Sequence, residues 1–589
     1  MSHPRIQRST DLRARCFAVL RGEDGGSMQS SLRVLCFFCL TTLFLTGCVP
    51  ADVPPPAVIP STAASPAITP LLTFTPSPSF TLISQPTTTP VPTATPTPLP
   101  SLVRSIDLAA FAAEQGGKWF SADLESFSDA HLKPGASYTV QGTPAANRND
   151  GQIAPALAAR YVFLQFGNVT PQMIEQNANS IRALFIRSAL MSFVDYAGNT
   201  VLDWDRRSAP ITMDIEGMIS TANRLAIPVY LELNYSDYIP GPRGSGVGEL
   251  VPADNIARSI DYLQKLQAAG IHVDGVTFGD EIGDQSGFGE KKPTNLTEDM
   301  AGRFVRYASA LKKAFPELKI YAFDSCISAA RGELSQSLDL LTRVRQGEEE
   351  TGQVLLDGFV FRESYVYMDE NGTLLNSQSI LDDTESLYRN ANVYRFETMG
   401  RSFKPVDKDY LHTLLEFTRQ VFGRDIEIGL TEYLPAGPTQ IDESDTSIYA
   451  DIDFILHYAD VMGIYASLGL DFVSTWVFAN EVDKAKCYLD IHGGKAASYP
   501  VHAQIAENFQ GQLLQVNRDP DVPGSRIKVY AARDGDRAFI MILNKIVGSP
   551  QVIRLFIPGE LDLTLKLPGR SYTSLVIEDN RIILSGIGN

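Results

Sequence analysis

From Tyr161 onward, apolar runs of strand length alternate with stretches whose apolar residues recur at helical spacing. The strand-like runs cover residues 161–167, 183–188, 228–234, 273–281, 319–324, 357–364, 426–433 and 472–478. Strands buried on both faces read as near-continuous Val/Ile/Leu/Phe runs, as these do, whereas half-exposed strands alternate. Between them, residues 254–269 put Ile256, Ile260, Leu263 and Leu266 on one stripe, open on Asp254 as a cap and stop at Gly270. Residues 296–315 behave similarly, with Thr297 as the cap and Pro316 as the stop, and residues 409–422 and 448–468 complete the later units. Eight strands alternating with helices predict an α/β fold, a parallel (β/α)8 barrel.

Past residue 500 the period changes. Residues 526–532, 538–544, 552–557, 561–567 and 572–577 are short runs separated by the turn signals DGD, PGE and PGR, which predict a small antiparallel β-sandwich. Residues 104–150 are irregular, with at most a strand to add to that sandwich. At the other end, residues 34–45 (VLCFFCLTTLFL) form an apolar run preceded by Arg13, Arg15, Arg21 and Arg33. A bilayer-spanning helix needs about 20 residues, so this run has the length of a signal-peptide core instead. It leads into Leu45-Thr46-Gly47-Cys48, which resembles a bacterial lipobox. That resemblance implies that Cys48 becomes the lipidated first residue of a protein held at the bacterial cell surface and facing outward. An ordinary cleaved signal or a membrane anchor is the plainer reading, and Met28 is an alternative start to Met1. Residues 49–103 are a Pro/Thr/Ser/Ala tract with too little apolar content for a core. At ~3.1 Å per residue in the polyproline conformation, such a tether reaches on the order of 150 Å. The expected organisation is a signal segment (1–48), a linker (49–103), a barrel (104–500) and a sandwich (501–589).

Composition removes several classes of function. With 50 basic and 68 acidic residues, the formal charge of −18 argues against a nucleic-acid partner. Only Cys326 and Cys487 fall in the folded part, which excludes a disulfide scaffold and a cysteine-based zinc site. None of the 7 histidines has the spacing of a metal site or a Ser/His pair, and His457 lies on a helix, where packing is its expected role. The glycines of residues 241–248 (GPRGSGVG) have no helix start at the distance a phosphate loop needs. No cofactor is expected. Asp442, Glu443 and Asp445 form an acidic loop that is a candidate for structural calcium, with a solvated loop as the plainer reading.

Two of the strand-like runs end on a glutamate, Glu281 on the fourth and Glu432 on the seventh. The C-terminal ends of barrel strands form the mouth where catalytic groups gather. Two carboxyls meeting there suffice to cleave a glycosidic bond: one protonates the leaving oxygen, and the other attacks carbon or activates water. Rim glutamates in ordinary salt bridges are the plainer alternative.

The stretch Ile428-Gly429-Leu430-Thr431-Glu432-Tyr433 resembles the nucleophile strand of glycoside hydrolase family 44, within the clan A barrel glycosidases. The helical stretch 452–470, the strand bearing Trp476, the run AFIMILNK (538–545) and Leu567-Pro568-Gly569-Arg570-Ser571 follow in that family's order. The resemblance covers roughly residues 150–580 and is strongest from the seventh strand onward. It implies a retaining hydrolase of extracellular β-glycans, endo-β-glucanase- or xyloglucanase-like, with Glu281 as acid/base and Glu432 as nucleophile. Where the family has Asn-Glu-Pro, this chain has Asp280-Glu281-Ile282. An ionised Asp280 cannot donate to a sugar hydroxyl, but a like charge beside Glu281 raises its pKa, which suits an acid.

Trp476, on the eighth strand, is a candidate stacking platform, with core packing as the plainer reading. By the same resemblance, Arg187 would pair with Glu432, with a rim salt bridge as the plainer reading, and Tyr365, with Glu363 beside it, would lie near the nucleophile. Asn234 and Tyr235 are candidate cleft residues, and Asp324 ends the fifth strand without a role. The expected partners are a polysaccharide or oligosaccharide and, through Cys48, a membrane. Alternatives are a catalytically inactive carbohydrate-binding barrel, or the same chemistry on mannan, xylan or an arabinoside.

Overall fold

The computed structural model describes residues 102–163, 169–187, 200–201, 211–212, 214–233, 238–240, 250–252, 254–278, 296–323, 334–362, 394–396, 403–405, 410–433, 452–475, 478–480, 489–490, 493–520, 526–579 and 581–588. Within them, eight parallel strands close into a barrel: Ala156–Phe163, Leu184–Arg187, Val229–Leu233, Gly275–Phe278, Lys319–Phe323, Gly358–Arg362, Glu427–Tyr433 and Phe472–Thr475. They neighbour one another in chain order, and the eighth pairs back onto the first. Each expected run contributes one strand, although the first begins five residues earlier than its run, at Ala156 rather than Tyr161. Helices Pro171–Gln176, Ile215–Arg224, Asn255–Ala268, Leu296–Ala314, Leu334–Thr351, Tyr410–Phe422, Ile452–Leu468 and Tyr499–Asn508 follow the strands in turn.

Asp254 caps its helix as expected, its carboxylate accepting the Ala257 N–H at 2.9 Å. The expected Thr297 cap is corrected: the helix starts at Leu296, so Thr297 lies inside its first turn. Short two-stranded ribbons interrupt the connections after the second, third, sixth and eighth strands (200–201 with 211–212, Tyr238–Pro240 with Leu250–Pro252, Tyr394–Phe396 with Phe403–Pro405, Ala479–Asn480 with Leu489–Asp490). All four decorate the mouth of the barrel, the end that carries strand C-termini.

The opposite end is plugged. Phe185, Tyr230, Tyr321 and Phe472 form an aromatic layer in the lumen, with Phe185 stacked on Tyr230 at 4.6 Å and Tyr321 edge-on to Phe472 at 5.7 Å. Glycines on intervening strands make room for the rings. A Cβ on Gly358 would lie 2.2 Å from the Tyr321 ring, one on Gly429 2.3 Å from Phe472, and one on Gly275 2.8 Å from Tyr321. Below the layer, Glu427 accepts from the Tyr321 hydroxyl at 2.5 Å and from Lys319 at 2.6 Å.

A second device recurs at three strand starts. Asp274, Asp357 and Asp471 each precede a strand, and each carboxylate accepts the N–H of a residue at the start of the preceding strand: Val229 at 2.8 Å, Ile320 at 2.8 Å and Ile428 at 2.7 Å. Each aspartate's own N–H donates to the carbonyl of that same residue, so the pair of bonds fixes the register of neighbouring strands.

The second unit of structure is an 11-stranded mixed sheet that folds over its own apolar cluster. The barrel therefore does not begin at residue 104, a correction to the expected boundary. Strands Leu102–Asp107, Phe120–Asp123, Ala136–Pro144 and Gln152–Ile153, all before the barrel, belong to this sheet. Most of its pairings are antiparallel, but Leu102–Asp107 runs parallel to Leu561–Leu567 and Ala136–Pro144 runs parallel to Gln551–Ile557. Both parallel pairs join a strand from before the barrel to one from after it, which explains why local patterning did not reveal them.

Helix Ile452–Leu468 lies between the barrel and this sheet and is buried almost throughout. Its charges meet the sheet in pairs, Asp460 with Lys545 and with the Tyr530 hydroxyl (2.6 Å), and Asp453 with Arg570 at 2.6 Å. Among the described residues, no helix is long and apolar enough to cross a membrane.

Candidate active site

Parallel strands closed into a barrel point all their C-terminal ends at one mouth, the end at which catalytic groups of such barrels gather. Glu432 lies on the seventh strand, one residue before its end. The fourth strand is described to Phe278, so Asp280 and Glu281 lie outside the described residues. Trp476, Tyr365, Glu363, Asn234, Tyr235, Asp324, Cys326, Cys487, the loop of Asp442, Glu443 and Asp445, and Cys48 also lie outside them. Arg187 is the last residue of the second strand, where the sequence put it.

Which positions face the lumen follows from the packing. Gly275, Gly358 and Gly429 face the aromatic layer, so residues at even spacing from them are inward, while Val276, Phe359, Ile428 and Leu430 pack outward among the helices. On an unbroken seventh strand, position 432 would share the outward side with Ile428 and Leu430.

The ladder is broken at that point. Leu430 pairs with Val473 and Tyr433 with Thr475, so three steps of the seventh strand match two of the eighth. Val473 packs outward, and Thr475 faces the outward Arg160, whose guanidinium reaches the His502 carbonyl on the eighth helix. Positions 431 and 432 thus stand opposite the single residue Ser474, so alternation along the seventh strand does not carry through this point. Bulges of this kind re-aim residues at barrel rims.

Above the aromatic floor, the lumen is polar. Glu232 on the third strand is 7% exposed, and its register partner on the fourth, Thr277, is buried beside it. Sequence reasoning passed over Glu232, although it is the one charge in the run Val229-Tyr230-Leu231-Glu232-Leu233. Several other buried groups are titratable but lie away from the mouth. Burial pushes the Tyr321 hydroxyl far above the usual range, and the neighbouring Tyr230 and Glu427 push it the same way. Burial draws Lys319 down, but its bond to Glu427 outweighs this and its pKa is raised. Burial holds His457 down to about 3 and His502 well below its usual value, so both are neutral packing residues.

A cavity of about 240 Å³ lined by Leu263, Leu266, Val273, Phe315 and Leu318 opens at the other end of the barrel, beside the starts of the fourth and fifth strands. It contains no pair of carboxylates and is not the candidate site. Among the described residues, no group of three His, Cys, Asp or Glu side chains is placed to hold a metal ion.

No protein-family model matches the chain, and no curated protein matches it by sequence. Solved structures do match in fold. CelM2, a bifunctional glucanase-xylanase from a metagenome library, aligns with a TM-score of 0.51 at 13% identity, covering 78% of this chain and 100% of that one. Cel44A, a glycoside hydrolase family 44 endoglucanase from Clostridium thermocellum, aligns with a TM-score of 0.50 at 12% identity, over 77% and 99%. A family 44 xyloglucanase from Paenibacillus polymyxa gives 0.50 at 10% identity, over 77% and 99%. At these identities the likeness establishes the fold: an eight-stranded α/β barrel carrying an additional β-sheet.

Proposed function

We propose that this protein is a retaining glycoside hydrolase acting on extracellular β-glycans. Glu281 serves as acid/base and Glu432 as nucleophile. Glu281 protonates the departing glycosidic oxygen while Glu432 attacks the anomeric carbon, giving a covalent glycosyl-enzyme. Glu281 then takes a proton from water, and that water releases the sugar with its anomeric configuration kept. The observation that carries the reading is the place of the two glutamates in the chain: Glu432 lies one residue before the end of the seventh barrel strand, and Glu281 ends the run that contains the fourth. The fold shared with glucanases and xyloglucanases supports the substrate class.

Trp476, Tyr365, Asn234, Tyr235 and Asp280 complete the proposed cleft, with Arg187 keeping Glu432 ionised. Cys48 carries the lipid anchor that places the enzyme on the outside of the cell; an alkynyl fatty-acid label that persists in Cys48→Ala would remove this part.

The decisive assay is hydrolysis of soluble β-glucan and xyloglucan by wild type, Glu281→Gln and Glu432→Gln, with the product anomer followed by NMR. The expected outcome is β-anomer first, and loss of turnover in both variants. α-Anomer first would replace retention with inversion. Absence of turnover by wild type on every glycan tested, with oligosaccharide binding intact, would favour the second reading, a sugar-binding barrel without chemistry. That reading draws on Asp280, which stands where family 44 has asparagine.

A further inference from the structure

Above the aromatic floor the lumen does not continue as apolar core. Tyr230 and Phe472 belong to the floor, their rings 6.4 Å apart, and the next lumen-side positions on their strands are Glu232 and Ser474. Val473 and Thr475, on either side of Ser474, both face outward. Gly275 faces the Tyr230 and Tyr321 rings, so Thr277, two residues on, is the matching lumen-side position of the fourth strand. The ladder pairs Thr277 directly with Glu232. Glu232, Thr277 and Ser474 are 7%, 5% and 0% exposed, and the Ser474 hydroxyl has no hydrogen-bond partner among the described residues.

Where a barrel lumen is only core, Val, Ile and Leu fill it. Apolar residues here would avoid desolvating a carboxylate and two hydroxyls. A buried hydroxyl without a partner marks a place where a ligand has something to offer. Glu232 is one residue short of the described end of its strand, at the end of the lumen that carries the proposed cleft. An ionised carboxylate only accepts hydrogen bonds, at about four lone-pair sites, so it can serve a neighbour in the protein and a ligand at once. What it recognises in a ligand is a donor. A neutral sugar is ringed with donors, whereas a sugar acid brings a second negative charge into a low-dielectric lumen. The formal charge of −18 on the chain disfavours the acid as well.

We infer that Glu232, with Thr277 and Ser474 on the same layer, forms the base of the sugar subsite, where its carboxylate accepts from the hydroxyls of the bound sugar and selects neutral glycans against those carrying uronic acids. The placement of the three side chains rests on burial, packing and register. The identity of the ligand rests on the proposed function, which this inference deepens.

The test is titration calorimetry on the full chain carrying Glu432→Gln, so that the probe survives the titration. The two probes are cellotetraose and cellotetraose oxidised to the uronic acid at its primary hydroxyls. The neutral tetramer is expected to bind more than about 10-fold more tightly than the acid. Adding Glu232→Gln keeps the shape and removes the charge. It is expected to weaken neutral binding about 10-fold and to narrow the preference about 10-fold, because hydrogen bonds to a charged acceptor become bonds to a neutral one. Glu349→Gln removes an equal charge from a side chain 62% exposed on helix Leu334–Thr351, and is expected to move neither quantity. Where Glu232→Gln does not fold, Glu232→Leu, which leaves no polar group to bury at that position, takes its place.

Equal affinity for the two probes before Glu232 is changed, or a preference that the change leaves where it was, overturns the inference. A purely structural Glu232 would lower resistance to urea without moving that preference. If wild type hydrolyses no glycan while the preference behaves as expected, the proposed chemistry fails and the subsite stands. If neither probe binds while wild type hydrolyses β-glucan, the subsite falls and the proposed function stands.

Discussion

Replacing Lys545 by methionine is expected to destabilise the protein by about 4 kcal/mol at pH 7, and the figure can be worked from the barrel–sheet interface. The side chains of Lys545 and Asp460 are 2% and 0% exposed, so their pairing takes place out of water. Removing the ammonium leaves the Asp460 carboxylate with the Tyr530 hydroxyl at 2.6 Å as a remaining donor. A stranded carboxylate has two options. It stays ionised at a cost of about 3–5 kcal/mol, the usual penalty for breaking a buried pair. Alternatively it takes up a proton, which for an aspartate of ordinary pKa costs about 4 kcal/mol at pH 7 and about 2 kcal/mol at pH 5.5. Protonation therefore caps the penalty, and the cap falls by about 1.4 kcal/mol for each pH unit. Urea unfolding of wild type, Lys545→Met and Asp460→Asn/Lys545→Met at pH 7 and pH 5.5 measures all of this. The double variant, with no charge left to strand, should recover most of the loss. A single-variant cost below about 1 kcal/mol at pH 7, or a cost independent of pH, would show that water or another cation compensates Asp460 and would refute the reasoning.

Four further outcomes are expected from the described geometry. Gly358→Ala drives a methyl to within 2.2 Å of a Tyr321 ring held by Glu427, and should lower stability by about 1–3 kcal/mol or more by overpacking. Gly302→Ala, in open space on helix Leu296–Ala314, should stabilise by up to about 1 kcal/mol, and calorimetry separates the two. Asp357→Ala removes the acceptor of the Ile320 N–H and the partner of Lys312, and should cost about 1–3 kcal/mol in urea, with Asp357→Asn recovering part of it. Burial lowers His457 to about 3 and His502 well below its usual value, so the folded state disfavours protons that the unfolded chain accepts near pH 6.5. Their contribution is intact above about pH 6.5 and is lost as pH falls below it, for His457 down to about 3, by up to about 1.4 kcal/mol per unit for each histidine. The slope of stability against pH between 7 and 4 should flatten in His457→Gln, and an unchanged slope would count against a buried neutral imidazole.

The barrel was legible because its strands are buried on both faces, which turns each into an uninterrupted apolar run flanked by a helix of different period. Even the glycines inside those runs, Gly275, Gly358 and Gly429, did not break the pattern, since each leaves space for a ring on a neighbouring strand. The sheet was legible only in its C-terminal half. Its strands Leu102–Asp107 and Ala136–Pro144 find their parallel partners, Leu561–Leu567 and Gln551–Ile557, more than 400 residues further on, and no local pattern encodes a partner at that distance.

The candidate site was legible as residue types at strand ends, but not in its geometry. Simple alternation from Gly429 misses the extra residue of the seventh strand, which becomes visible only when that strand is laid against the eighth. Glu232 was passed over for a related reason. A glutamate inside a run reads as an ordinary interruption until the floor formed by Tyr230 shows which way its side of the strand faces. Asp274, Asp357 and Asp471 carried a sequence signal that could have been used, an aspartate after Val273, Leu356 and Leu470 at three strand starts. Their role emerges only with the partner strand in place.

The sheet is better understood as part of the barrel's wall than as a separate binding module. A barrel helix normally shows solvent a polar face, whereas Ile452–Leu468 is apolar nearly all round, and its few charges, Asp453 and Asp460, are matched by Arg570 and Lys545. Gly463 on this helix receives the Tyr530 ring so closely that a Cβ there would lie 2.5 Å from it. This helix also follows the seventh strand, the strand that carries position 432, so whatever holds the helix constrains the strand's far connection. Cutting the chain near residue 500 would expose that helix and remove the partners of Leu102–Asp107, Phe120–Asp123 and Ala136–Pro144 at the same time. A truncated barrel is therefore expected to aggregate during refolding, and a soluble, monomeric 156–508 fragment with native helix content would show that the sheet is dispensable to the barrel after all.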